Sequence, residues 1–320
     1  MTNALLEEEK TKDFNTELQT RIKSMIERDG MTQNAIAKKV DISATALSQY
    51  LNSKYNGDIP TLESSLSKLL DLNVQRKNYG KISLDFMKTT IANKIFNIAQ
   101  ICQLNGEIAL CTGLSGLGKT TAIKEYAKKH SGVIVIDTDE QINVRALLHH
   151  FCKPLRLEQG LKESNVLFAE KIVSKLNSSG KLIIVDESEN LDVGCFRVLR
   201  KIHDRCNSSV GLLFVGTDAL ANKLSKLGGE YDYLFTRFSY IDNLESLTLK
   251  DTSLLVNQIF PNCSESLNKL FHTVARANAR VLFNLLKRTR DIVTSSGENL
   301  NAQIIKSASS FVGASLKNVR

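Results

Sequence analysis

No apolar run in this 320-residue chain approaches the ~20 residues needed to cross a bilayer, so no spanning helix is expected. The start of the chain also lacks the basic-then-apolar profile of a secretory signal. Leu5-Leu-Glu-Glu-Glu-Lys10 is acidic, and a cytoplasmic location is expected. The six cysteines (Cys102, Cys111, Cys152, Cys195, Cys206 and Cys263) are scattered and form no C-x-x-C pair, which points to reduced thiols, mostly in the core. What remains is an ordinary balance of 42% hydrophobic and 24% charged residues, in a chain long enough for two or three domains.

The N-terminal quarter has no net charge. Lys+Arg against Asp+Glu count 11 and 11 over residues 1–78, 21 and 17 over 79–240, and 10 and 6 over 241–320. The excess of +8 therefore falls outside the first 78 residues. It is compatible with a phosphate backbone as partner.

The strongest feature is Gly113-Leu-Ser-Gly-Leu-Gly-Lys-Thr-Thr121, which fits G-x-x-x-x-G-K-[ST] with Gly116 as an additional glycine. An apolar run at 108–111 is suited to a buried strand, and 121–129 has helical spacing, so a strand enters this loop and a helix leaves it. Polyphosphate sheds water on binding and needs many donors close together. Glycines let backbone N–H groups turn inward, and the helix N-terminus adds its dipole. Gly113, Ser115, Gly116, Gly118, Lys119, Thr120 and Thr121 are the candidate ATP-binding residues, with Lys119 reaching the β- and γ-phosphates and Thr120 on the bridging Mg2+.

Seventy residues on, Lys181-Leu-Ile-Ile-Val-Asp186-Glu187 ends a buried strand in two carboxylates. Asp186 is the candidate magnesium partner through water, and Glu187 the group that polarises the attacking water. The strand read at 210–215 closes on Gly216-Thr217-Asp218, where Thr217 can touch the γ-phosphate or the lytic water, or serve as a turn residue. A β-branched run at 132–137 is a further strand, expected to pair in parallel with the first because a helix separates them. Helices are read at 84–104, 141–157 with a break at Pro154, 163–177 and 191–206, and a last strand-like stretch follows Arg237.

Upstream, apolar positions at 14–26 form a helix stopped by Asp29-Gly30. Thr32 and Ser43 cap helices at 33–40 and 44–51, and a fourth helix occupies 60–72, before a polar stretch at 74–80 read as a linker. Residues 33–52 resemble the phage-repressor type of helix-turn-helix. That resemblance places Ser43, Ala44, Thr45, Ser48 and Gln49 toward a DNA major groove. Asp41 stands where glycine is usual, in a turn that calls for a left-handed residue, and brings a negative charge. With zero net charge as well, this module alone is expected to bind DNA weakly and salt-sensitively, or to dock protein instead.

From 247 onward the chain is read as helical, at 253–260, 264–276, 279–294 and 302–311. The fold class expected is an α/β P-loop NTPase core, a parallel sheet with helices on both faces, behind an all-α N-terminal domain and ahead of an α-helical lid. The boundaries are 1–78, 79–246 and 247–320. Loop, acidic strand, polar strand end and helical lid together resemble the AAA+ ATPase family. The resemblance implies an arginine acting on a neighbour's nucleotide, Arg237 with Arg205 as alternate, and a lid arginine reporting nucleotide state, Arg280 in Asn278-Ala-Arg280. The whole architecture is similar to the target-selection ATPases of Mu-type transposable phages. It implies ATP-dependent, largely sequence-indifferent assembly on double-stranded DNA and delivery of that DNA to a transposase. Lys153, Arg156 and Lys162 are then the candidate DNA-facing residues of the core. A helicase-loader-like ATPase and an ATP-regulated transcription factor are the alternatives.

Overall fold

A computed structural model describes residues 14–78, 84–138, 140–158, 163–226 and 236–312. The chain divides into two compact units, Met1–Ser83 and Leu84–Arg320.

In the first unit, α1 (Thr16–Asp29) starts at Asn15, whose side chain accepts the Leu18 N–H, and stops at Gly30 with φ +64°. Two short helices follow, α2 (Gln33–Lys39) and α3 (Ala44–Leu51), capped by the Thr32 and Ser43 side chains. Asp41 between them has φ +57°, so an acidic residue holds the left-handed turn. The last helix, α4 (Ile59–Asn78), covers most of the stretch read as a linker. Polarity does not end a helix; only a breaker or lost packing does, and no Gly or Pro stands between 61 and 78. Ile22, Ile36, Leu47, Tyr50 and Leu66, all fully buried, centre a small core. Buried Gln19 crosses it to donate to the Tyr50 carbonyl at 2.6 Å.

The second unit is built on five parallel strands in the order β2-β3-β4-β1-β5: β1 (Ile108–Gly113), β2 (Val133–Asp137), β3 (Leu182–Asp186), β4 (Gly211–Val215) and β5 (Phe238–Leu244). β2 pairs with β3 and not with β1, contrary to the sequence expectation. A helical crossover requires only that two strands run parallel in one sheet, and here the places beside β1 are taken by β4 and β5.

The central strands are buried on both faces, which is why they read as continuous apolar runs. Ala109 and Cys111 of β1 face one core with Leu213 and Val215, while Ile108 and Leu110 face the other with Leu212 and Phe214. The first core is covered by α5 (Thr90–Asn105), α6 (Lys119–Lys129) and the C-terminal helices α12 (Leu249–Ile259), α13 (Glu265–Val274), α14 (Ala279–Ser296) and α15 (Ala302–Ser310). The second is covered by α7 (Val144–His149), α8 (Cys152–Leu155), α9 (Asn165–Leu176), α10 (Val193–Arg205) and α11 (Asp218–Lys226).

Several boundaries differ from the sequence reading. α5 begins at Thr90, capped by Thr89, because residues 84–89 run without helix and dock Leu84 and Phe86 onto the first core. The expected helix at 141–157 is α7 and α8 with a break at His150-Phe151. Pro154 falls in the first turn of α8, where its missing N–H costs nothing. Helix α11 has no counterpart in the sequence reading. All six cysteines are free, and burial pushes the Cys102 and Cys111 thiols up to about 12. Among the described residues no helix is long and apolar enough to cross a membrane.

The C-terminal helices are bolted to the start of α5 by Asp251, which is 2% exposed. Its Oδ1 accepts the Thr90 N–H at 2.8 Å, and its Oδ2 accepts the Thr248 N–H and hydroxyl at 3.0 and 2.8 Å, completing a capping box. Asp251→Ala strands these donors in a buried site and should cost about 2–4 kcal/mol of stability. Urea unfolding checks it, and a change under about 0.5 kcal/mol would contradict the assignment.

Candidate nucleotide site

The phosphate loop leaves the end of β1 and enters α6, whose N-cap Gly118 has φ +94°. Lys119 is 8% exposed and turns back on the loop, its Nζ donating to the Gly113 and Leu114 carbonyls at 2.7 and 2.9 Å. Burial lowers its pKa, opposed by the carboxylates of Glu189, Asp186 and Asp218. Gly116 needs to be glycine on two counts. Its φ is +82°, and a Cβ there would lie 2.6 Å from Asn278 Oδ1 and 3.1 Å from Arg280 Cβ.

That close approach is the C-terminal segment closing on the loop. The Asn278 side chain caps α14 by accepting the Val281 N–H and donates to the Ser115 carbonyl at 2.7 Å, while the Arg280 N–H donates to the Gly116 carbonyl at 3.0 Å. Arg280 lies near enough to Lys119 for its charge to be felt there. Ser115, Gly116, Lys119 and Arg280 are thus brought together. Thr121 faces outward on the first turn of α6.

Asp186 is 2% exposed at the end of β3, hydrogen-bonded by the Thr120 side chain and by the Glu187 N–H at 3.0 Å. Burial raises its pKa, and those two bonds oppose the rise. A buried carboxylate beside a hydroxyl is a pair of hard oxygen donors, which fits Mg2+, an ion that takes few protein ligands and fills its shell with phosphate and water. Glu187 follows with φ +53°, an unusual conformation for a long side chain. A fully buried residue holds it: the single hydroxyl hydrogen of Thr138 is shared between the carbonyls of Asp186 and Glu187, each 2.8 Å from Oγ1. Asn190 Nδ2 closes the knot on the Thr138 carbonyl.

Thr217, at the end of β4, is gripped by Glu189, which no sequence signal singled out. Thr138 and Asn278 were missed as functional residues for the same reason: each acts through the backbone of a loop distant in sequence. Arg237 is exposed and precedes Phe238, which pairs with Ile108 at the opposite end of β1 from the loop. Five residues of strand, roughly 16 Å at ~3.3 Å per residue, separate Ile108 from Gly113, so Arg237 is not brought to its own chain's loop. Arg205 ends α10 and pairs with Glu170 at 3.5 Å on the surface. Lys153 and Arg156 are exposed on α8 and at its C-cap, and Lys162 lies outside the described residues. On α3, Thr45 and Gln49 are exposed and Ser48 half-buried, opposite buried Leu47, Tyr50 and Leu51, while the Ser43 hydroxyl is engaged in capping.

Known proteins resemble this chain in sequence and in fold. The AAA domain family matches residues 103–224. The chain is 27% identical over 239 residues to the DNA transposition protein B of the Mu-like prophage FluMu of Haemophilus influenzae, covering 72% of this chain and 81% of that protein. It is 22% identical over 303 residues to the ATP-dependent target DNA activator B of Escherichia phage Mu, covering 92% and 94%. Among solved structures, the ORC2 protein of Aeropyrum pernix shares the fold with a TM-score of 0.54 at 14% identity, over 74% of this chain and 72% of that one.

Proposed function

We propose that this chain, an AAA+ ATPase similar to the B proteins of Mu-like phage transposition, uses ATP to assemble on double-stranded DNA with little sequence preference and to deliver that DNA to a transposase. The observation that carries the reading is the docking of Asn278 and Arg280 on the loop that holds Lys119, beside the Thr120–Asp186 pair and Glu187. Thr120 and Asp186 would hold Mg2+, which supplies charge neutralisation to the polyphosphate. Lys119 and the loop N–H groups bind the phosphates, and Glu187 orients and polarises water.

Nucleotide can reach the rest of the chain through the same contacts. Residues 84–89, through which the chain leaves the first unit, are tied to α12: the Asp85 N–H donates to Gln258 Oε1 at 2.8 Å, and Gln258 returns a bond to the Asp85 carbonyl at 3.2 Å. α12 and α14 belong to one packed set, and α14 rests on the phosphate loop.

Weak backbone contacts summed over neighbouring subunits explain how a module of zero net charge serves DNA binding. Thr45, Ser48 and Gln49, with Ser43 at the helix start, supply contacts from the first unit; Lys153, Arg156 and Lys162 supply them from the core. Arg237, too far from its own loop, is suited to a neighbour's nucleotide, next to the exposed Tyr240 and Ile241 of β5. Electron microscopy on unrelated duplexes should show filaments with ATP and none with ADP. Binding confined to one sequence without filaments would favour an ATP-regulated transcription factor and overturn the reading.

A further inference from the structure

We propose that Glu189 is a positioning residue for hydrolysis: it holds the hydroxyl hydrogen of Thr217, so that Thr217 offers a lone pair to the attacking water and no hydrogen bond to the γ-phosphate. The inference rests on the reading of this site as an ATPase with Thr217 at its phosphate end. Glu189 Oε1 accepts the Thr217 hydroxyl at 2.7 Å, and the Thr217 N–H is shared between Oε1 and Oε2 at 3.2 Å each. A carboxylate can only accept, so the direction of these bonds follows from chemistry alone. A threonine hydroxyl has one hydrogen and two lone pairs. With the hydrogen committed to Glu189, only acceptor capacity is left. The terminal oxygens of a γ-phosphate are acceptors too and have nothing to donate, whereas water donates.

The surroundings are arranged around this grip. Gly216 comes immediately before Thr217, and a Cβ on it would lie 2.4 Å from Glu189 Oε2, so the glycine leaves room for the carboxylate. Lys223, one and a half turns into α11, donates to the carbonyls of Glu189 and Leu191 at 2.8 and 2.7 Å. The side chain of Glu189 thus holds the residue ahead of α11, and α11 in turn holds the backbone of Glu189. Glu189 joins the ends of β3 and β4 on the side of the sheet where the phosphate loop lies, and it helps to keep Lys119 charged. Removing its charge should leave phosphate binding intact, since Asp186, Asp218 and the bound polyphosphate itself still keep Lys119 charged.

The test is kinetic, on the full chain with duplex DNA. Glu189→Leu, which removes the acceptor and keeps most of the bulk, should lower kcat about 10- to 100-fold while the Kd for a fluorescent ATP analogue stays within about twofold. Thr217→Val should fall by a similar factor with the ratio of ATP to ADP affinity unchanged, and the double variant should be no slower than the slower single one, because both remove one water contact. If Glu189→Leu keeps the wild-type kcat, or the two losses multiply, the proposal fails. If Thr217→Val weakens ATP relative to ADP about tenfold, the hydroxyl serves the phosphate and the proposal fails. Should Glu189→Leu melt early, Glu189→Gln carries the test: its Oε1 can still accept the Thr217 hydroxyl, so kcat should stay within about threefold of wild type, and a loss beyond about tenfold overturns the proposal. Failure of the underlying site reading looks different: Lys119→Ala would then keep its affinity for ATP.

Discussion

Lys119→Ala is expected to lose about 10²- to 10³-fold in ATP affinity, with DNA assembly lost alongside it. A charge-assisted bond to phosphate is worth roughly 1.5–3 kcal/mol, and deleting one partner of a buried charge pair costs about 3–5 kcal/mol. The upper part of that range applies here, for a reason specific to the site. Glu189, Asp186 and Asp218 all bear on the Lys119 ammonium, and its removal leaves three carboxylates facing an incoming polyphosphate. The folded protein should not suffer in proportion. Burial disfavours the Lys119 charge, which offsets part of the cost of losing its bonds to the Gly113 and Leu114 carbonyls, so the alanine variant should stay folded with a modestly lowered melting temperature. Titration calorimetry with ATP, alongside a thermal melt, separates the two effects. Affinity within about threefold of wild type would show that the lysine does not bind phosphate.

The phosphate loop and the Asp186-Glu187 strand end were legible because their chemistry is local: a few adjacent residues must carry the glycines, the cation and the carboxylates at fixed spacing. The parallel sheet was legible too, from the continuous apolar runs at 108–111, 182–185 and 210–215. What was not legible depends on contacts made across the fold. Strand order was missed at β2, since a crossover constrains direction and handedness but not adjacency. Helix α11 was missed because it starts directly at Asp218, within the polar cluster taken only as a strand end. Glu189 lies two residues beyond Glu187 and looks like another solvated acid. Only the return of β4 beside β3 brings Thr217 to it.

The same distinction holds for the arginines. Arg280 was picked out by its resemblance to a lid motif, and the structure pins the N-terminus of α14, which carries it, to Ser115 and Gly116. For Arg237, the resemblance pointed to nucleotide contact, and the structure sets it at the opposite end of β1 from its own chain's loop. Asp41 shows the opposite case: its acidic side chain at a left-handed turn is visible in the sequence and is what the backbone adopts, at φ +57°.

Glu187→Gln should separate binding from turnover. The substitution keeps length and shape, so the left-handed backbone, held by Thr138 through two carbonyls, is undisturbed, and Asp186 keeps the Glu187 N–H. What is lost is the carboxylate's basicity toward water, and general-base contributions of this kind amount to about 10²–10⁴-fold. We expect kcat to fall at least 100-fold with ATP affinity within about twofold, and complexes on DNA to persist because the step that dissolves them is blocked. The comparison with Glu189→Leu is the informative part. Glu187 acts on water directly and Glu189 through Thr217, so the Glu187 variant should be slower by about an order of magnitude or more, and Thr217→Val on top of it should cost little further. Single-turnover hydrolysis of all three variants measures this. A kcat within threefold of wild type for Glu187→Gln would remove it from the role of base and leave Glu189 as the acid to be tested in its place.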